Sequence, residues 1–337
     1  MKQKPGIWLA RSLNNASKAA TSVNAAAAAL SQPVICVVGP TASGKTDVAQ
    51  VIAQRINGEV VSADSMQVYR GMDIGTGKLP VSERLVSHHG FDLVDPGEPF
   101  SAALFQAYAR QSFVDIESKG KRSILAGGTG FYVRAAIDAY EFPDGEQVDN
   151  PIRERWNAFA AAHGVDALWS ELNKRDPESA QIIPPADVKR VVRAFELLES
   201  GDSYVIQKQR LQTLPQWAPA VFIGLSVDPD ILRGRIRTRV DAMIDKGLIQ
   251  EVEALLASGF RDGITAPQAI GYKEIVAALD GNTTMEEAVE SIKVSTCRYA
   301  KRQRTWFKKD KRIHWLCADS GDTEALANEA LALIDKL

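Results

Sequence analysis

An α/β fold, with a parallel sheet flanked by helices and an inserted all-helical domain, is predicted from three observations. Short apolar β-rich runs at 33–38, 59–63, 122–126 and 220–227 alternate with segments of helical periodicity. The first run ends in a glycine-rich loop that opens onto a helix. Between about 141 and 217 the β-runs stop and only helical spacing remains. Strand–helix–strand alternation implies right-handed crossovers, and therefore parallel strands.

The chain begins unusually. Residues 1–46 contain no acidic residue, while Lys2, Lys4, Arg11 and Lys18 are basic and an alanine run spans Ala25–Ala29. Residues 1–32 therefore read as a disordered extension or as a transit-peptide-like segment, with an upstream start codon as the plain alternative. The β-run at 33–38 suits a strand buried on both faces. Residues 45–56 place Val48, Val51, Ile52 and Ile56 at helical intervals. A second strand follows at 59–63, a helix at 101–119 and a third strand at 122–126. In the insert, Val188, Val191, Val192, Phe195 and Leu198 mark a helix that stops at Gly201. Residues 202–219 read as a polar connector, and the strand at 220–227 resumes the sheet. From 229 to about 309 the pattern is helical, followed by a short strand, Ile313–Leu316, and a last helix from about 322. The expected division is thus 1–32, a core of 33–140 with 218–337, and an insert of 141–217.

Composition narrows the function. The 337 residues are 45% hydrophobic and 24% charged with a net charge of −2, which suits a globular protein with a sizeable core. Any nucleic-acid contact must come from locally gathered basic residues. The three cysteines are far apart and odd in number, which fits a reducing compartment. Neither zinc-ligand spacing nor an apolar run long enough to span a membrane is present.

Gly39-Pro40-Thr41-Ala42-Ser43-Gly44-Lys45-Thr46 fits the P-loop pattern, between strand and helix as its chemistry requires. Glycines let the backbone wrap phosphates, Lys45 neutralises phosphate oxygens and the Thr46 hydroxyl suits Mg²⁺. The core is accordingly P-loop NTPase-like. A guanine-binding reading of Asn173-Lys174-Arg175-Asp176 fails on context, because a helical stretch precedes it. Asp64, just after the second strand, reads equally as a general base or as a turn or cap residue. Gly127-Gly128-Thr129-Gly130 permits close approach to a ligand, or simply makes a tight turn. Arg235 and Arg239 share a helix face and suit a phosphate clamp or a solvated surface. The densest basic stretch, Arg298 to Lys309, interleaves aromatics as nucleic-acid surfaces do.

Together these strings resemble the tRNA dimethylallyltransferase (tRNA isopentenyltransferase) family of bacterial type. GPTASGKT at 39–46, SADSMQVYRGMDIGTGK at 62–78, HHGFDLVDPGEPFS at 88–101, AGGTGFY at 126–132, QAIGYKE at 268–274 and CRYAKRQRTWF at 297–307 occur collinearly. The resemblance implies transfer of a dimethylallyl group from dimethylallyl diphosphate to N6 of adenosine 37 in tRNAs reading codons that begin with U. It implies that the whole loop, Gly39 through Thr46, holds the donor diphosphate, with Thr46 at Mg²⁺. Asp64 becomes the general base, with Ser65, Met66 and Gln67 beside the acceptor base. Met66 departs from the polar or basic residue of many relatives. Thr129 becomes a catalytic residue in the channel between donor and acceptor. Arg235 leads as the diphosphate clamp, with Arg239 behind it. Lys189, Arg190 and Arg193 on the insert, with Arg298, Lys301 and Arg302, are implied contacts to the anticodon stem-loop. A monomer acting in the cytoplasm is expected, with a mitochondrial address as the alternative if residues 1–32 are a transit peptide. The competing reading is an ATP-dependent kinase of a nucleotide or small metabolite, which leaves the basic stripe and the insert unexplained.

Overall fold

The computed structural model describes residues 30–142 and 150–336. Most of the N-terminal extension singled out above therefore lies outside the described residues. Ala139–Pro215 forms one compact unit, and the described chain on either side of it forms another.

The larger unit is built on a six-stranded sheet, β1 (Val34–Val38), β2 (Gly58–Ser62), β3 (His88–His89), β4 (Arg122–Gly127), β5 (Ala220–Ser226) and β6 (Ile313–Cys317), in the order β3-β2-β4-β1-β5-β6. Every pairing is parallel. β1 sits between β4 and β5, with Val37 level with Ala126 on one side and Ile223 on the other, and all five of its residues are buried. An unbroken apolar run such as VICVV fits only a strand covered on both faces. The covering helices include α1 (Lys45–Arg55), α2 (Ala102–Ser118) and α3 (Gly130–Ile137). All five strands read from sequence are strands here, and the edge strand β3 was missed. At two residues it is too short for any periodicity to register.

The smaller unit contains α4 (Pro151–His163), α5 (Val165–Arg175), α6 (Pro177–Ile182), α7 (Val188–Glu199) and α8 (Tyr204–Arg210). Its starts are legible chemistry: Asn150, Asp176 and Asp187 accept backbone N–H groups at the heads of α4, α6 and α7. Asn173–Asp176 closes α5 and caps α6. The helix α8 falls where a plain connector was expected. It buries no residue, so it lacks the apolar stripe that would have announced it. The core of this unit gathers around Trp156, whose ring stacks on Phe195 at 3.6 Å and whose Nε1 donates to Glu199 at 2.9 Å. Trp156→Ala is expected to destabilise the unit by about 3–5 kcal/mol. Hydrogen exchange of the α4 and α7 amides should then rise while β1 and β4 stay protected.

Both chain crossings between the units are anchored in the larger one. Asp138 and Gln216 form an antiparallel bridge, and Trp217 N donates to Ile137 O at 2.6 Å. Arg110 donates to Asp138 O at 2.7 Å and lies 4.5 Å over the Trp217 ring. Arg312 pairs with the buried Asp138 carboxylate at 2.6 Å.

After β5 the chain forms α9 (Pro229–Asp245), α10 (Leu248–Leu256), α11 (Tyr272–Leu279) and α12 (Met285–Phe307), then β6 and α13 (Thr323–Ile334). The sequence reads as nearly continuous helix here. In the structure, turns with glycine at positive φ (Gly247, Gly259, Gly271 and Gly281) divide it. α12 reaches the P-loop through Gln303, whose Oε1 accepts from Thr41 N.

Candidate active site

A cavity of about 1120 Å³ opens over the carboxyl ends of β1, β2 and β4, where ligands bind in parallel α/β sheets. Its walls include Lys45, Thr46, Asp64, Arg239, Arg298 and Arg302, so one cavity gathers P-loop, acidic and basic candidates.

The P-loop wraps as its composition requires, with Ala42 and Gly44 at positive φ and α1 starting at Lys45. Ser43 Oγ is buried and has no hydrogen-bond partner among the described residues. An orphaned polar atom inside a loop of this kind fits a site shaped for phosphate oxygens. Lys45 Nζ lies 3.2 Å from Pro40 O. Burial pushes the Lys45 ammonium down to about 8, and the nearby Arg239 guanidinium adds to that, while Asp64 and Asp47 oppose it. A bound diphosphate favours the protonated form, so its affinity must fall as pH rises through the free-site value. Calorimetry with inorganic diphosphate should show affinity weakening above a pH of about 8, with proton uptake on binding, and Lys45→Arg should remove that dependence.

Arg235 and Arg239 part company. Arg235 donates to Ala318 O at 3.0 Å and Asp319 O at 2.6 Å, beyond the end of β6. Arg239 packs on Gly77, where a Cβ would fall 1.8 Å from Nη2. It lies within electrostatic reach of Asp64, Asp47 and Lys45, and burial lowers its pKa. This geometry favours Arg239 as the anion clamp, the reverse of the order read from sequence. Both side chains line the cavity, but the Arg235 guanidinium is engaged by two backbone carbonyls and that of Arg239 has no hydrogen-bond partner among the described residues.

Asp64 stands just past β2. Its Oδ1 accepts from Met66 N at 2.8 Å and Gln67 N at 3.4 Å, so the turn role is real. Oδ2 accepts no bond among the described residues and remains for a ligand. Ser65 and Met66 line the cavity beside it. The Gln67 amide is engaged internally: its Oε1 accepts from Ser62 Oγ at 2.7 Å and its Nε2 donates to Thr76 O at 3.2 Å. Thr129 is the cap residue of α3, and its Oγ1 accepts from Ser65 N at 3.2 Å. It thus supports the Asp64 turn from behind.

Sequence reasoning missed the residues that hold these loops. Glu251 on α10 accepts from the N–H groups of Asp73, Ile74 and Gly75 at 3.1, 2.7 and 3.2 Å, and from the Tyr272 hydroxyl at 2.6 Å. Lys78 Nζ, buried, donates to Tyr69 O, Asp73 and Asp92. Together they fix the 73–78 loop, on whose Gly77 Arg239 rests. Lys78 and Tyr272 fall within the motif strings, but nothing in the spacing reveals that Glu251 faces a loop nearly 180 positions earlier.

Among the basic residues, Arg298 and Arg302 are exposed on α12 and line the cavity, while Lys301 is exposed outside its lining. On α7, Lys189 is exposed, Arg190 pairs with Asp187 at 2.8 Å and Arg193 with Glu196 at 2.9 Å. Among the described residues no cluster of three His, Cys, Asp or Glu side chains suits a metal ion. None of the described helices is long and apolar enough to cross a membrane.

Comparison with known proteins places this geometry. A family model described as IPP transferase matches residues 67–310, and one described as isopentenyl transferase matches 32–91. The chain is 43% identical over 288 residues to the tRNA dimethylallyltransferase of Halalkalibacterium halodurans, covering 85% of this chain and 91% of that one. It is 45% identical over 303 residues to that of Pseudarthrobacter chlorophenolicus, covering 88% and 97%. Among solved structures, it is similar to a full-length tRNA isopentenylpyrophosphate transferase from Bacillus halodurans (TM-score 0.66, 39% identity, 90% of this chain and 97% of that). It is also similar to a eukaryotic dimethylallyltransferase crystallised acting on tRNA (TM-score 0.75, 28% identity, 89% and 78%).

Proposed function

The chain belongs to the IPP transferase family of tRNA dimethylallyltransferases, and from that premise we propose that it prenylates N6 of adenosine 37 in tRNAs reading codons that begin with U. It is an enzyme of tRNA modification, with dimethylallyl diphosphate as donor. The observation that carries the finer reading is the shared cavity: an anion clamp and a carboxylate with a free oxygen face one space.

In this reading the P-loop, Lys45 and Arg239 hold the donor diphosphate. The bond from the allylic C1 to the diphosphate oxygen breaks with its electron pair leaving on oxygen. The charge that builds there meets fixed cations and N–H groups, which is where electrostatic catalysis acts. The adenine N6 forms the new bond to C1 and gives its proton to Asp64 Oδ2. The acceptor base must leave its stack to reach the cavity, at a cost of a few kcal/mol. Arg298 and Arg302 at the rim, with Lys301 beside them, offset that cost through phosphate contacts. Lys189, Arg190 and Arg193 are proposed as further contacts to the anticodon stem-loop.

Mg²⁺ fits the oxygen donors present. Thr46 offers a hydroxyl, and this ion commonly takes only one or two protein ligands beside substrate phosphates. When bound it would supply further neutralisation of the leaving diphosphate. Action as a monomer is part of this proposal. The bacterial sources of the relatives support a cytoplasmic place.

The test is to incubate the purified chain with Mg²⁺, dimethylallyl diphosphate and unmodified tRNA carrying A36-A37, then digest and weigh the nucleosides. N6-dimethylallyl-adenosine is the expected product. Its absence, with phosphate transferred from ATP instead, would mean that the loop serves a nucleotide.

A further inference from the structure

We propose that Gln303 is a positioning residue that locks the phosphate loop to the loop supporting Asp64, so that donor binding and acceptor activation share one rigid frame. The proposal rests on the functional reading above and extends it.

Gln303 lies on α12, within the basic stripe, yet it is buried at 5% exposure among charged and exposed neighbours. Its Oε1 accepts from Thr41 N at 2.8 Å, and its Nε2 donates to Gly128 O at 2.9 Å. One side chain thus bridges the loop after β1 and the loop after β4. Gly128 has room for it only because it lacks a side chain: a Cβ there would fall 2.3 Å from Gln303 Nε2. The peptide following Gly128 is held on its other side, where Thr129 N donates to Ala63 O at 3.2 Å. Thr129 Oγ1 then accepts from Ser65 N, next to Asp64. The Tyr299 hydroxyl, one turn earlier on α12, lies near Thr129 and Gln303. A continuous chain of hydrogen bonds therefore runs from Thr41 through Gln303, Gly128 and Thr129 to the Asp64 turn.

Only a primary amide matches this site. One end must accept and the other must donate, at fixed positions and out of water. The bridge also consumes the Thr41 N–H, so that group is a structural donor rather than a phosphate ligand. Removing the bridge leaves a buried donor and a buried acceptor unpaired, which lets both loops relax to find water.

The experiment is steady-state transfer by the full chain, varying dimethylallyl diphosphate and tRNA in turn, for wild type, Gln303→Leu and Gln303→Glu. Leucine removes both bonds at similar volume. Glutamate keeps an acceptor for Thr41 N–H but sets an oxygen against Gly128 O. In both variants KM for dimethylallyl diphosphate should rise about tenfold or more and kcat should fall by a similar factor, while KM for tRNA stays within about twofold. A residue that merely fills the core would lower the active fraction, and hence apparent kcat alone. Donor KM values within about twofold of wild type in both variants would overturn the inference. If Gln303→Leu does not fold, Gln303→Glu carries the test. Should wild type itself show no transfer, the functional reading fails instead. Equilibrium binding of inorganic diphosphate then decides this point: weaker binding by the variants supports the bridge, and unchanged or tighter binding sinks it.

Discussion

Asp64→Asn is expected to lower kcat by about 10²–10⁴-fold, the range for loss of a positioned general base. The choice of asparagine matters. Oδ1 of Asp64 holds the N–H groups of Met66 and Gln67, so alanine would loosen the turn as well as remove the base. Asparagine keeps an acceptor at Oδ1 and removes only proton acceptance at Oδ2. If the asparagine variant retains activity within about tenfold of wild type while alanine does not, the carboxylate serves the turn and another group takes the proton. A second readout comes from charge. The Asp64 carboxylate raises the Lys45 pKa against the effect of burial, so neutralising it must lower that pKa further. The basic limb of kcat/KM for the donor, expected at about 8 in wild type, should therefore move to lower pH in Asp64→Asn.

The candidate site was legible where one residue type has one chemical use. The P-loop string and its strand–helix setting located the phosphate end, because few other sequences let backbone wrap an anion. Asp64 was legible as a position but not as a role, since capping and proton transfer ask for the same carboxylate. In the structure Oδ1 serves the turn while Oδ2 accepts no bond among the described residues, a division that spacing cannot express. Glu251 and Gln303 were invisible for another reason. Each acts on backbone groups far away in sequence, and a polar side chain on a helix otherwise reads as solvent-facing. For the fold, apolar runs found β1, β2, β4 and β5, because burial on both faces leaves a continuous signal. Conversely, β3 and α8 left none, the first too short and the second without a buried face.

The arginine pair supplies the other large expected effect. Arg239→Ala should lower kcat/KM for dimethylallyl diphosphate by about 10²–10³-fold, the scale of losing one preorganised charge at a developing anion. Arg239 is half-buried beside Asp64, Asp47 and Lys45, and no partner among the described residues satisfies its guanidinium, so its charge is kept for a ligand. Arg239→Lys should recover only part of the loss, because an ammonium cannot reproduce a planar two-pronged contact to phosphate oxygens. Arg235→Ala should behave differently. That side chain is spent on Ala318 O and Asp319 O, so its removal should cost about 1–3 kcal/mol of stability while donor KM stays within about twofold. Kinetics on both variants beside their thermal melting separate the roles. The reverse pattern, with donor KM rising in Arg235→Ala and not in Arg239→Ala, would mean that Arg235 leaves its carbonyls when diphosphate binds. The relevant clamp would then be a state that forms only with ligand. The energetic balance argues against this: Arg235 would have to surrender two charge-assisted bonds, whereas Arg239 has none to surrender.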